Sequence, residues 1–306
     1  MIFTIIWIRT ASNNLLHDPL FIMIIHYAVA SVQGSDHEVN TDQFILCLGD
    51  RPILKGGSMK EHGKLKQSGL LFSVGNGVHA GAVGLECAES SMNEFQTLLE
   101  GVDDYQSFRL ADGKSRLDEG MRRVHELLLQ LTETKEDGVQ MMACVAAMWF
   151  CQDYAVFSQV GNTRIYQFED RVLELLSEDN TEAWELVKAG KISPDKVHTY
   201  PGQKVLTQVM GGKGKQKPVI EIKSVKIEPN DVYLMCTAGL IEGISHQEME
   251  EMMLGAVDSK GVIDSSIAER IVEFSTKANG KNNATAVICQ VFPDQSMWTS
   301  MIRNLR

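Results

Sequence analysis

The sequence predicts an α+β fold in which two β-sheets pack face to face and helices cover their outer faces. Apolar runs rich in β-branched and aromatic residues recur in two groups along the chain, as strands do. Long segments with helical spacing of apolar residues separate them, an arrangement typical of layered domains. With 306 residues, of which 44% are hydrophobic and 23% charged, the chain is long enough for one large core.

The predicted elements follow from these patterns in chain order. The apolar runs predict strands over 23–30, 44–48, 69–74, 142–150, 154–160, 163–168, 171–176, 219–227, 232–236 and 285–291. The helical spacing predicts helices over 84–100, 115–133, 182–189, 246–254 and 263–276. His125 and His246 fall in two of these helices and are expected at the surface.

Residues 23–293 show no low-complexity linker, repeat or abrupt change in composition, and we interpret them as one domain. Residues 1–22 form an apolar extension that is too short and too interrupted to span a bilayer and lacks a clear signal-peptide pattern. Met23 is a candidate for the native start. Residues 294–306 are interpreted as a loosely attached C-terminal tail.

Charge and cysteine usage narrow the classes of function. A formal net charge of -11 argues against a nucleic-acid or anionic-membrane partner, because binding to phosphate backbones depends on clustered Lys and Arg. The six cysteines form no C-x-x-C pair and lie mostly in apolar runs, which favours buried, reduced thiols over disulfides or a zinc site. We therefore expect a cytoplasmic protein.

Three short motifs end predicted strands and carry the most functional information. They are Ser73-Val74-Gly75-Asn76-Gly77, Cys236-Thr237-Ala238-Gly239-Leu240 and Gly280-Lys281-Asn282-Asn283-Ala284-Thr285. In order, spacing and strand context they resemble the metal-dependent serine/threonine protein phosphatases of type 2C, the PPM family, whose motifs read roughly VADG, CSDGL and GxxDNxT. The turn Gly161-Asn162-Thr163-Arg164 is similar to the family's G-D-S-R, and the resemblance extends from about residue 23 to residue 293.

The resemblance implies a four-layer α-β-β-α sandwich of two antiparallel sheets flanked by helices. It also implies a site at one edge of the sandwich. In members with full motifs, aspartates, a backbone carbonyl and water hold two divalent cations, Mn or Mg, there. The cations activate a bridging water for attack on a phosphoserine or phosphothreonine. Several negative charges are needed to offset the repulsion between the two ions.

The N-terminal motif of this chain departs from the family pattern. Its early aspartate position is Val32, and the position of the phosphate-gripping arginine is His37. A protonated histidine can donate to phosphate but lacks the bidentate fork of arginine. Asp42 matches a retained acid, with Asp36 and Glu38 as less certain acidic neighbours.

The later motifs lose their aspartates as well. The bridging aspartate is replaced by Asn76, whereas Gly77, whose carbonyl is a ligand in the family, is kept along with the H-A-G turn that contains His79. Ala238 and Asn282 occupy the other two aspartate positions. Asp42, Gly77 and Glu242 are the residual candidates for metal binding, and any Mn or Mg is expected to bind weakly or not at all. His37 and His79 are candidates for phosphate or proton contacts, although a lone turn histidine is more often structural.

Three interpretations remain open at this point. The first is a pseudophosphatase that serves as a regulatory module in signalling and binds a phosphoprotein or a protein kinase. The second is a weakly active Mn- or Mg-dependent serine/threonine phosphatase, with which the retained Arg164 and Gly77 are compatible. The third is an unrelated sandwich with ordinary turn residues at these positions.

Overall fold

The computed structural model describes residues 23–48, 51–57, 59–66, 69–98, 109–136, 138–151, 153–193, 196–197, 200–212, 214 and 217–293. The apolar extension over 1–22 and the tail over 294–306 lie outside these residues, so both interpretations stay predictions. None of the helices in the described ranges is both long and apolar enough to cross a membrane.

Two antiparallel sheets form the centre of the described structure. The strands are β1 Met23–Val32, β2 Asp42–Leu48, β3 Arg51–Gly56, β4 Met59–Lys66, β5 Leu70–Gly77, β6 Met142–Cys151, β7 Tyr154–Val160, β8 Arg164–Glu169, β9 Val172–Leu175, β10 Met210–Gly211, β11 Lys223–Lys226, β12 Val232–Cys236 and β13 Ala284–Pro293. One sheet has the order β4-β1-β13-β12-β8-β9, and the other has the order β11-β7-β6-β5-β2-β3 with β10 beside β6.

Six helices accompany these strands in the described residues. They are α1 Gly81–Thr97, α2 Leu110–Thr134, α3 Glu182–Lys188, α4 Ala238–Ile241, α5 His246–Ala256 and α6 Ile267–Asn279. Local sequence sets where they begin. The Thr181 hydroxyl accepts a hydrogen bond from the backbone N–H of Trp184 at the start of α3. Ser245 forms a capping box with Glu248 at the start of α5.

The core of the described residues has three large parts and one small cluster, Met142, Cys144 and Val209, because the central strands are buried on both faces. In β6, Val145, Ala147 and Trp149 pack with the residues of α1 and α2, whereas Met148 and Phe150 point to the other sheet. The third part lies between that other sheet and the helices α5 and α6. This layering confirms the predicted α-β-β-α sandwich and explains why β6 is almost continuously apolar.

Several element predictions need correction. The strands β3, β4 and β10 and the short helix α4 were not predicted. The predicted strand over 219–227 is wrong in its first half, since only Lys223–Lys226 pairs with β7 and the Val219 N–H donates to the side chain of Gln208 instead. The predicted surface position of His125 is also wrong: His125 is buried, and its Nδ1 accepts from the Gly211 N–H at 3.0 Å.

The six cysteines are buried with free thiols, as expected for small apolar residues in strands and helices. Burial raises the pKa of the Cys87 thiol to about 11, which keeps it in the unreactive protonated form.

Candidate functional site

The predicted site lies where strand ends of both sheets meet. Asp42 begins β2, Asn76 and Gly77 end β5, and Asp42 and Asn76 are direct partners in the antiparallel register. Paired residues of antiparallel strands point to the same face with Cβ atoms about 5 Å apart. The sequence placed these two residues in separate motifs, and the fold brings them side by side.

Asp42 is buried, with 3% of its surface exposed, and it joins the two sheets. The hydroxyls of Thr237, which follows β12, and Thr285, in β13, donate to its Oδ2 at 2.6 and 2.8 Å. Burial raises the pKa of Asp42 to about 6, although the two hydroxyl bonds and the nearby His37 act in the opposite direction. The carboxylate is therefore engaged by the protein itself.

Other hydrogen bonds around Asp42 fix the loop that precedes β2. Asn283 accepts from the Gly34 N–H at 3.0 Å through Oδ1 and donates to the Thr41 hydroxyl at 3.0 Å through Nδ2. The Thr285 and Ser31 hydroxyls lie 2.7 Å apart. The side chains of three residues inside the motifs, Thr237, Asn283 and Thr285, form hydrogen bonds at this site that the motif pattern alone does not predict.

The Asn76 side chain has an unusual environment. Its Oδ1 is buried and has no hydrogen-bond partner among the described residues. The next residue, Gly77, donates its N–H to the Thr41 carbonyl at 3.2 Å. A buried carbonyl oxygen without a partner is costly, so this position presents an acceptor that a water or ligand can satisfy.

Gly77 allows a close approach between the end of β5 and the first turn of α1. A Cβ at Gly77 would overlap the Gly84 carbonyl. We expect Gly77→Ala to lower the free energy of unfolding by about 3 kcal/mol or more, because backbone would have to move in a packed region. Urea unfolding measures this. Gly255→Ala in α5, where a Cβ meets nothing within 4 Å, is the control and should be neutral or slightly stabilising. An equally small effect at Gly77 would contradict the close packing.

The second retained acid, Glu242, lies at the end of α4 and is already bonded. The Lys204 ammonium donates to Glu242 Oε2 at 2.6 Å, and the Asn282 amide donates to the same oxygen. Ala238, the first residue of α4, has no side-chain oxygen, and Val32 ends β1 with an apolar side chain. Of the predicted metal positions outside β2 and β5, only Glu242 thus carries a carboxylate.

The remaining candidate residues are two histidines with buried ring atoms and two exposed acids. His37 Nε2 lies 3.4 Å from Asn282 Oδ1, and the buried atoms His37 Nδ1 and His79 Nε2 have no hydrogen-bond partner among the described residues. Asp36 and Glu38 are exposed. Their side chains are not part of the buried hydrogen-bond network.

Arg164 has a structural partner. Its guanidinium forms two hydrogen bonds with the buried Asp179 carboxylate, at 2.9 and 2.7 Å, and a third with the Tyr166 hydroxyl at 3.2 Å. Such a bidentate pair fixes the start of β8 against the segment before α3. Its retention therefore follows from the fold and does not favour catalysis.

The donor set does not fit a pair of divalent cations. No group of three or more His, Cys, Asp or Glu side chains that could hold a metal occurs in the described ranges. Asp42 and Glu242 are both committed to protein donors, and Asn76 supplies only a neutral oxygen. Hard dications held close together need several anionic oxygens, which these residues do not provide.

Similarity to known proteins agrees with the motif resemblance. No family model matches the chain. The serine/threonine phosphatase stp of Listeria monocytogenes serotype 4b is 27% identical over 177 residues, which are 57% of this chain and 66% of that protein. The phosphatase PstP of Mycobacterium tuberculosis is 25% identical over 177 residues, 58% of this chain and 33% of that protein. The chain thus spans about two thirds or less of the length of these curated relatives.

Solved structures match over a larger part of the chain. The Mycobacterium tuberculosis phosphatase PstP/Ppp superposes with a TM-score of 0.68 at 21% identity, covering 87% of this chain and 98% of that chain. The S. agalactiae serine/threonine phosphatase gives a TM-score of 0.71 at 15% identity over 87% and 98% of the chains. The PstP catalytic domain in complex with 2 manganese ions gives 0.67 at 20% identity over 88% and 99%. The homologues and structural neighbours are PPM-type serine/threonine phosphatases, as the motifs predicted.

Proposed function

We propose that this chain is a PPM-type phosphatase-like protein with impaired catalysis, a pseudophosphatase that acts as a regulatory module in signalling by binding a phosphoprotein or a protein kinase. The observation that carries this proposal is the Asp42–Asn76 pair. At the position where a bridging acid is needed, the Asp42 carboxylate faces the Asn76 amide. The Asp42 carboxylate also accepts hydrogen bonds from two threonine hydroxyls.

Electrostatics explains why this pair matters. Two dications a few ångströms apart repel strongly, and the repulsion is offset only by anionic ligands shared between them. Asn76 keeps the shape of an aspartate without its charge, and Ala238 removes a ligand altogether. The raised pKa of Asp42, about 6, indicates that even the remaining carboxylate is poorly compensated when ionised.

Binding without hydrolysis fits the polar groups that remain. The ring atoms His37 Nδ1 and His79 Nε2 are buried and lack partners in the described part of the chain. A ring nitrogen becomes a donor on protonation and can then bond to a phosphoryl oxygen. We propose these two histidines as contacts to a phosphorylated residue of a partner.

One observation favours a second candidate function, a weakly active Mn- or Mg-dependent serine/threonine phosphatase. Asn76 Oδ1 has no hydrogen-bond partner among the described residues. Asn76 pairs with Asp42 in the sheet and precedes Gly77, so one carboxylate and one amide oxygen lie on the same face of the sheet near the Gly77 backbone. A single cation held by one carboxylate and neutral oxygens would bind weakly. The buried reduced thiols support a cytoplasmic location for either function.

A manganese titration of the purified protein, run beside aryl phosphate hydrolysis on the same sample, separates the two functions. We expect no stoichiometric Mn²⁺ binding in isothermal titration calorimetry and no turnover above buffer. The same assay on a phosphatase with full motifs serves as the positive control. Stoichiometric binding together with Mn-dependent turnover would overturn the pseudophosphatase proposal and establish the second candidate.

A further inference from the structure

A continuous series of polar contacts, here called the polar chain, crosses the edge where the family would hold its metals. The Lys204 ammonium and the Asn282 amide nitrogen both donate to Glu242 Oε2. The side-chain oxygen Oδ1 of Asn282 lies 3.4 Å from His37 Nε2. The polar chain thus joins the turn at 201–204 to the loop between β1 and β2, and Asn282 within it occupies a lost aspartate position.

The Asn282 amide uses both of its ends in the polar chain. Its Nδ2 donates to Glu242 while its Oδ1 faces His37. A carboxylate has no donor. An aspartate at this position would face the Glu242 carboxylate with like charge, and the contact would become repulsive unless a cation lay between them.

Lys204 supplies the positive charge from a well-anchored segment. It ends the 3-10 turn Pro201–Lys204, in which Gly202 is buried so closely that a Cβ there would lie 3.0 Å from the Cβ of Glu182. The carbonyl of the following residue, Val205, accepts from the Glu182 N–H at 2.9 Å. The backbone that carries Lys204 is thus fixed against the start of α3.

We propose that the Lys204 ammonium and the neutral Asn282 amide replace a divalent cation as the partners of the Glu242 carboxylate, so that this edge is closed by the internal polar chain in place of a metal ion. The proposal rests on the proposed function, because it concerns a centre that works without its metal pair. It makes Lys204 the charged partner that the anchored 201–204 turn supplies to Glu242. The loss of the aspartate at position 282 is then compensated, because the Asn282 amide and Lys204 donate to Glu242 where a cation would otherwise lie.

Thermal unfolding in EDTA at slightly alkaline pH tests this compensation. We expect Asn282→Asp to lower the Tm by about 5 °C, because two carboxylates then meet at a partly buried contact. Glu242→Gln combined with Asn282→Asp exchanges the amide and the acid, restores the donor, and should bring the Tm back to within about 2 °C of the unmodified protein. The exchanged pair also tests the proposal if the single variant does not fold.

The role of Lys204 is tested by its coupling to residue 282. Lys204→Gln alone should change the Tm by about 2 °C or less, since the lysine side chain is 60% exposed. Combined with Asn282→Asp, it should lower the Tm by more than the sum of the two single changes. Lys226→Gln, which removes the similarly exposed Lys226–Glu228 ion pair elsewhere on the surface, is the matched control and should be additive.

Additive losses with Lys204→Gln, or a folded exchange pair that does not recover stability, would overturn the proposed replacement. Neither result depends on metal binding, since EDTA is present throughout. Stoichiometric Mn²⁺ binding by the unmodified protein would contradict the proposed function instead, so the two failures are distinguishable.

Discussion

Restoring three of the four missing carboxylates together, as Asn76→Asp, Ala238→Asp and Asn282→Asp, should raise the affinity for Mn²⁺ by roughly two orders of magnitude or more, because ligand charge and rigidity set the affinity of such sites over a wide range. The carboxylate introduced at position 76 would face Asp42 across β2 and β5, where a bridging cation could satisfy both. We expect hydrolysis of a small aryl phosphate to begin with metal binding, since the bound cations activate water. Calorimetry and hydrolysis measured on one sample check both outcomes.

The three substitutions are needed together because each new carboxylate alone adds repulsion to the metal-free protein. The one at position 76 would add a charge beside the poorly compensated Asp42, and the one at position 282 would oppose Glu242. A matched control adds three carboxylates at the exposed positions Asn93, Ala189 and Asn230 and should leave Mn²⁺ binding unchanged. A folded triple variant that binds no Mn²⁺ would show that these positions are not the metal positions.

The addition of Lys204→Gln to this triple variant connects the prediction to the polar chain. An ammonium about 5 Å from a dication in a water-exposed setting weakens binding about tenfold by Coulomb repulsion. Removing it should therefore raise the Mn²⁺ affinity of the restored variant by about that factor. The control Lys226→Gln in the same background should have no effect, since Lys226 lies in β11 and pairs with Glu228 there.

The sequence was most informative where burial dictates residue type. The strand β6 is apolar along its length because both of its faces are covered, and its prediction over 142–150 agrees with Met142–Cys151. The strands β3 and β4 could not be predicted in this way. They carry Pro52, which lacks an N–H, together with Lys55 and several other charged or polar residues, a composition that is typical of edge strands and does not produce an apolar run.

Within the site, the motifs located the positions but not their partners. Asn76, Ala238 and Asn282 could be identified from neighbouring residues that match the family pattern. The Lys204–Glu242 pair spans 38 residues, and Thr285 reaches Asp42 across 243 residues. Such contacts depend on how distant segments pack in the folded chain, and no local sequence pattern predicts that packing. The raised pKa of Asp42 also follows from burial at that junction and is not apparent from the sequence.

Replacing Asp42 by asparagine should stabilise the protein near neutral pH. The pKa of Asp42 is raised from 3.8 to about 6, so the folded state binds a proton more tightly than the unfolded state does. Below about pH 4, Asp42 is protonated in both the folded and the unfolded state, and its burial does not lower the free energy of unfolding through ionisation. Above about pH 6, Asp42 is ionised in both states, and the free energy of unfolding is lower by about 3 kcal/mol. The neutral amide removes this cost, and its Oδ1 can still accept from Thr237 and Thr285.

The pH dependence distinguishes this explanation from a simple packing effect. Measured by urea unfolding, the stability of Asp42→Asn relative to the unmodified protein should increase by about 1.4 kcal/mol per pH unit between about pH 4 and 6 and then level off. Thr285→Val removes a donor that favours the ionised carboxylate, so it should extend the loss of stability to higher pH. A difference between Asp42→Asn and the unmodified protein that does not vary with pH would show that the buried carboxylate is ionised at little cost. Its two hydroxyl bonds would then compensate the charge fully, and Asp42 would be better prepared to hold a cation than its burial indicates.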